Sequence, residues 1–140
     1  MLVIDGAMGT AIQDRDLGPD DFGGLEYEGC NEYLTVTRPD VIEDIHRSYL
    51  EVGADIIETN TFGATPVVLA EYGLAHEARR LNRESAELAR RVADAASTSD
   101  KLRFVAGSMG PTTKTISVTG GITFEELAGD HQIQAAGLIE

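Results

Sequence analysis

No run of about 18 or more apolar residues occurs in the chain, so no helical membrane span is expected. Cysteine is scarcer still. Cys30 stands alone among 140 residues, which rules out an internal disulfide and fits a reducing, cytoplasmic setting. Cations are few, with 11 Lys and Arg against 24 Asp and Glu for a net charge of −13. Such a surface repels phosphate backbones and anionic lipid, which argues against nucleic-acid and membrane partners. The acidic residues spread over every segment, as on a solvated surface rather than an interaction tract. The opening Met1-Leu2-Val3-Ile4-Asp5 is too short and too soon acidic to act as a signal peptide. His46, His76 and His131 lie far apart on predicted helices and, with one cysteine, make no zinc-binding spacing. His46 borders an apolar stripe and reads as a helix-packing residue. Gly6-Ala7-Met8-Gly9 and Gly107-Ser108-Met109-Gly110 have neither the glycine spacing of a dinucleotide fingerprint nor the Gly-Lys-Ser/Thr of a phosphate loop.

What the chain does contain is an alternation of short apolar runs and longer amphipathic segments. Leu2-Val3-Ile4 reads as a first strand, ended by Asp5-Gly6. Gln13 to Tyr33, acidic and with four glycines and Pro19, reads as a long loop. A helix is predicted from Pro39 to Val52, with Thr37 able to cap it. Its stripe is Val41, Ile42, Ile45, Tyr49 and Val52, and Gly53 lies just beyond. Ala54 to Thr59 follows as a strand buried on both faces. After a short helical stretch at 67–72, the clearest helix runs from Ala75 to Ala96. Ala78, Leu81, Ser85, Leu88, Val92 and Ala95 line one face, and Glu87 and Arg91 are spaced as an i,i+4 pair. Leu102 to Ala106 is a third strand, and Gly107 to Gly121 a Gly/Thr/Ser-rich loop. Thr123 and Glu126 make a capping box for a last helix with Phe124, Leu127, Ala128, Ala135 and Leu138 on its apolar face.

Strand and helix alternating in this way imply parallel strands with helical crossovers. Periodicity alone leaves an open doubly wound sheet and a closed barrel equally compatible. The length suits one domain but falls short of a complete eight-stranded βα barrel, which takes about 250 residues. In either architecture ligands bind at the carboxyl ends of the strands. Those ends are Asp5 to Thr10, Glu58 to Gly63 and Gly107 to Thr112, each with glycine beside small polar residues. Each also has a plain structural reading: Asp5-Gly6 is a common turn dipeptide, Glu58 can satisfy backbone groups, and the glycines can serve backbone geometry alone.

Together these motifs carry a resemblance. Asp5-Gly6-Ala7-Met8-Gly9-Thr10 resembles the opening motif of the homocysteine S-methyltransferase family. Arg38 to Ile42, Ile45-His46, Tyr49 to Glu51 and Gly53 to Phe62 match its second block, and Gly107 to Thr112 with Lys114-Thr115 its third. Asn31-Glu32-Tyr33-Leu34 points to the cobalamin-dependent branch. The resemblance implies an α/β fold in which residues 1–140 are the N-terminal portion, about three strands, of a (βα)8 TIM-type barrel. It implies transfer of a methyl group to the sulfur of homocysteine to form methionine. The donor would be methylcobalamin, recharged from methyltetrahydrofolate by following folate and cobalamin domains, with betaine or S-methylmethionine as alternative donors. The family's zinc ligands are cysteines on later strands, so zinc and cobalamin belong to the complete protein, and Cys30 occupies no ligand position. Carried over by motif, Asp5 and Gly6 face the homocysteine amino group, while Thr61 and Phe62 offer backbone N–H groups to its carboxylate. No residue of the chain is assigned a catalytic or metal-binding role. A different class of reading is a non-catalytic amino-acid-binding scaffold completed by self-association, because three βα units leave two unpaired strand edges.

Overall fold

The structure, a computed structural model, describes residues 1–116 and 121–140. Of the predicted Gly107–Gly121 loop, residues 117–120 therefore lie outside the described residues. Leu2 to Ile4 runs beside the second strand, as expected, but forms a single parallel bridge, Ile4 to Ile56, rather than a full strand. Backbone bonds from Asp55 and Ile56 to the Val3 carbonyl, 2.7 and 3.1 Å, hold it there. The segment has no neighbour on its outer edge among the described residues, and the chain turns away at Ala7, whose φ of 51° is left-handed. That turn starts α1 (Met8–Gln13), a helix with too few residues for its period to be read from sequence.

Short 3-10 turns at Leu25–Tyr27 and Asn31–Tyr33 break the predicted long loop before α2 (Leu34–Thr37). Thr37 does not cap the next helix, because it is the end of α2 and its hydroxyl donates to the Tyr33 carbonyl at 3.3 Å. Arg38 stands at the cap position of α3 (Pro39–Glu51), and its guanidinium pairs with Asp40 at 2.7 Å and with Asp21. Proline begins α3 without loss, since the first-turn N–H has no helical partner. The stripe holds at Val41, Ile42 and Ile45, but Val52 is 85% exposed and Leu50 is buried instead. Past the last turn of α3 the wheel points Val52 outward, and Gly53 at φ 113° takes the chain into the next strand.

That strand, β1 (Ile56–Glu58), buries Ile57 while Ile56 and Glu58 are only half-buried. The expectation of burial on both faces fails because α3 and α5 cover one face of the sheet only. After α4 (Pro66–Leu69), a 3-10 turn at Ala75–Glu77 leads into α5 (Ala78–Ala96). The predicted face is buried from Ala78 to Val92, whereas Ala95 is exposed and Asn82, Ala89 and Ala93 broaden the buried surface. Glu87 pairs with Arg83 at 4.0 Å, and Arg91 reaches across to Glu43 of α3 at 3.7 Å, so the expected Glu87–Arg91 pair is replaced.

Next, β2 (Phe104–Ala106) lies parallel to β1 in the register Ile56–Phe104, Ile57–Val105 and Glu58–Ala106. Two short strands, β3 (Thr115–Ile116) and β4 (Gly121–Ile122), also pair in parallel. The last helix, α6 (Phe124–Ile139), starts with the expected capping box: the Glu126 N–H donates to the Thr123 hydroxyl at 3.2 Å, and the Thr123 N–H donates to Glu126 Oε2 at 2.8 Å. Its packing differs from the predicted apolar face. Phe124 is 66% exposed, and the buried residues are Gln134 and Gly137. Helix α6 crosses α5 so closely that a Cβ on Gly137 would overlap the Arg79 carbonyl and lie 2.9 Å from Asn82 Cβ.

The core has two apolar clusters. Ile42, Ile45, Ile57 and Leu88 centre one, and Cys30, Leu69 and Leu81 the other. His46 is fully buried, as a packing residue, and neither ring nitrogen has a hydrogen-bond partner among the described residues. Among the described residues no helix is long and apolar enough to cross a membrane.

Candidate functional site

A cavity of about 270 Å³ lies where the carboxyl ends of the Ile4 segment, β1 and β2 converge. Its walls come from the start of α1 (Ala7, Met8, Gly9), from Asn31 and Glu32, from Glu58 to Phe62, and from Ser108. A larger hollow of about 360 Å³ opens between β2, α5 and α6, but hydrocarbon and exposed Arg and Glu side chains make up most of its wall. The smaller one holds the convergent polar groups that orient a ligand, and its size suits a small molecule.

The four residues singled out from sequence fall into two pairs. Thr61 and Phe62 line the cavity; Asp5 and Gly6 sit behind its wall. The Asp5 carboxylate accepts the Glu58 N–H at 2.9 Å, and the Asp5 N–H donates to the Ile56 carbonyl at 2.9 Å. Burial pushes the Asp5 carboxyl up to about 6, and the nearby Glu58 charge adds to this against the opposing backbone bonds. Gly6 has no heavy atom within 4 Å of where a Cβ would stand, so nothing in its surroundings requires glycine.

Thr61 is completely buried. Its hydroxyl lies 2.7 Å from the Ser108 carbonyl and 2.6 Å from the Thr59 hydroxyl. Its N–H is already engaged with the Thr59 carbonyl at 2.9 Å. Its carbonyl accepts from Gln134 Nε2 at 2.7 Å. Phe62 differs in each respect. The residue is 59% exposed, and its ring lies against Gly110, where a Cβ would stand 2.7 Å from ring atoms. The Phe62 carbonyl accepts from Gly110 N–H at 3.0 Å, while the Phe62 N–H has no acceptor among the described residues. Of the two expected amide donors, one is therefore spent inside the loop and one is open.

Several wall residues went unread as site residues. Glu32 accepts the Gly63 N–H at 2.7 Å, and Asn60 donates to the Asn31 carbonyl at 2.7 Å while its own N–H donates to Ser85 at 3.0 Å. These bonds span 25 to 31 residues, so no local spacing signals them. Glu32 and Glu58 give the cavity two carboxylates, and among the described residues no Lys or Arg lines it. Such a wall favours a cationic group, and the open Phe62 N–H favours an anionic one. One ligand that carries both is an α-amino acid.

Among the described residues no group of three or more His, Cys, Asp or Glu is placed to hold a metal ion. Cys30 does not reach the cavity, and burial, with the Glu32 charge, pushes its thiol up to about 12. The donor set therefore does not fit a zinc site.

Residues 2–140 match the family described as Homocysteine S-methyltransferase. Over all 140 residues the chain is 54% identical to a methionine synthase of Mycobacterium tuberculosis and covers 12% of it. It is 47% identical to the methionine synthase of Mycobacterium leprae and covers 11% of that protein. The chain thus spans just over a tenth of the curated relatives it matches. The crystal structure of the homocysteine methyltransferase MmuM from Escherichia coli in its metallated form superimposes with a TM-score of 0.75 at 26% identity, covering 99% of this chain and 50% of that one. Its oxidized form gives 0.76. The fold is accordingly α/β with parallel strands, similar to half of that enzyme.

Proposed function

Because the chain belongs to the homocysteine S-methyltransferase family, we propose that its strand-end cavity takes the amino-acid end of homocysteine, within an enzyme that methylates the sulfur to give methionine. Residues 1–140 are then part of the homocysteine-binding domain of a longer protein, and their parallel units the first strands of a (βα)8 barrel. The observation that carries this reading is the pairing of carboxylates with an open amide donor in one small cavity. Asp5 and Gly6, behind the wall at Glu58, back the amine side, where Asp5 must be ionised to complement an ammonium. Thr61 and Phe62 form the carboxylate side, with Phe62 as the donor and Thr61 as its support.

Methyl transfer forms a carbon–sulfur bond, breaks the bond between the methyl group and its donor, and releases the thiol proton. An alkyl thiol with a pKa near 8.5 is mostly protonated at neutral pH. The described residues supply no metal site and no histidine at the cavity, so this chain's part is to bind and orient. Sulfur activation and the donor belong to other segments: zinc for the thiol, and methylcobalamin as donor, recharged from methyltetrahydrofolate by folate and cobalamin domains. Identity of 47–54% to methionine synthases supports that donor over betaine or S-methylmethionine. The lone buried thiol agrees with a cytoplasmic protein. Expressed alone, the chain should self-associate through its open sheet edges.

Isothermal titration of the full-length protein tests the substrate. Homocysteine should bind, and alanine, which lacks the thiol arm, should bind at least tenfold more weakly (about 1.4 kcal/mol). Equal affinity for the two would contradict the reading.

A further inference from the structure

The Thr61 carbonyl and the Phe62 N–H are two ends of one planar trans peptide group. Whatever holds the first sets the direction of the second. The holder is Gln134, far along the chain on α6, whose Nε2 donates to the Thr61 carbonyl at 2.7 Å. Gln134 is completely buried. Its Oε1 lies 3.3 Å from His131 Nδ1. The helix that carries it is pressed against α5 at Gly137, one turn on, which leaves the side chain little freedom to withdraw. On the other side, the Thr61 hydroxyl is fixed by Ser108 and Thr59. The peptide is thus held from two directions, while the N–H of Phe62, a residue that lines the cavity, has no acceptor among the described residues.

We propose that Gln134 is a positioning residue for substrate recognition: through the Thr61 carbonyl it orients the Phe62 N–H toward the substrate carboxylate. The proposal rests on the homocysteine reading of the cavity. A donor on the carbonyl also polarises the amide, making the N–H of the same peptide group a better donor. Burial of a primary amide is costly unless its bonds are made, so the side chain holds one geometry. Gln134 touches no substrate and acts only through Thr61.

The test compares two ligands on the full-length protein: homocysteine, and its decarboxylated analogue aminopropanethiol, which keeps the thiol and the amine. The parent protein should prefer homocysteine. Gln134→Met keeps the length of the side chain without the donor. It should weaken homocysteine binding about five- to tenfold, the worth of one hydrogen bond, and leave aminopropanethiol unchanged. Gln134→Glu provides a second variant with a donor only while protonated, so its preference for homocysteine should return as the pH is lowered. A parental preference in Gln134→Met, equal loss for both ligands, or a pH-independent preference in Gln134→Glu would overturn the proposal. Absence of any preference in the parent protein would instead remove the homocysteine reading itself, and the role of Gln134 with it.

Discussion

The Asp5 carboxylate accepts the backbone N–H of Glu58 at 2.9 Å across 53 residues of sequence. One side chain therefore ties the first extended segment to β1 and places a carboxylate behind the wall of the cavity. Asp5→Asn separates the two roles. The amide oxygen can still accept from Glu58, so the fold should survive, while the charge offered to an ammonium is lost. Homocysteine affinity of the full-length protein should fall by about 1–3 kcal/mol, as read by titration calorimetry. In the parent, affinity should rise with pH through about 6, where Asp5 ionises, and this step should vanish in the variant.

The pKa of His46 shifts in the opposite direction to that of Asp5. Burial lowers its pKa from 6.5 to about 4, so the unfolded chain takes up the proton first as pH falls. Stability is then lost between pH 6.5 and 4, by about 3 kcal/mol for this group. The raised Asp5 carboxyl works the other way: its contribution is present at low pH and lost as pH rises from 3.8 to about 6. His46→Leu removes from the core two ring nitrogens that have no partner among the described residues. Denaturant unfolding should show it neutral or about 1 kcal/mol stabilising at pH 7, with a growing advantage over the parent toward pH 4. A constant difference across that range would contradict the assignment.

Gly137→Ala should destabilise although alanine favours helix by about 1 kcal/mol. The added methyl has no room against Arg79 and Asn82, and the α5–α6 contact must open. A net loss of about 1–3 kcal/mol is expected in thermal unfolding, with disturbance of Gln134 one turn before it.

Produced alone, residues 1–140 leave Ile4 and Phe104 on the two outer sides of the parallel strands, 49% and 43% exposed. Analytical ultracentrifugation should find dimers or larger species at micromolar concentration. A stable monomer would refute this.

Much of the scaffold is legible in the sequence because it follows from periodicity and caps. Val41, Ile42 and Ile45 announce α3, Leu81, Ser85 and Leu88 announce α5, and Thr123 with Glu126 marks the start of α6. Periodicity fails at α6 itself, since Gln134 and Gly137 bury through a hydrogen bond and a close crossing rather than through hydropathy. It also misses α1, whose start depends on a left-handed Ala7. The motifs around Asp5 and Thr61 direct attention to the right strand ends. They do not disclose that the Thr61 N–H is consumed by Thr59, or that Glu32 folds back on Gly63, because those facts arise from contacts between distant segments.

The most direct test of the central claim is a crystal structure of the full-length protein with homocysteine. The account predicts the substrate carboxylate at hydrogen-bond distance, about 2.9 Å, from the Phe62 N–H, and its ammonium toward Asp5. Homocysteine seated instead in the hollow beside Arg83 and Arg90, with the Phe62 N–H unengaged, would contradict it.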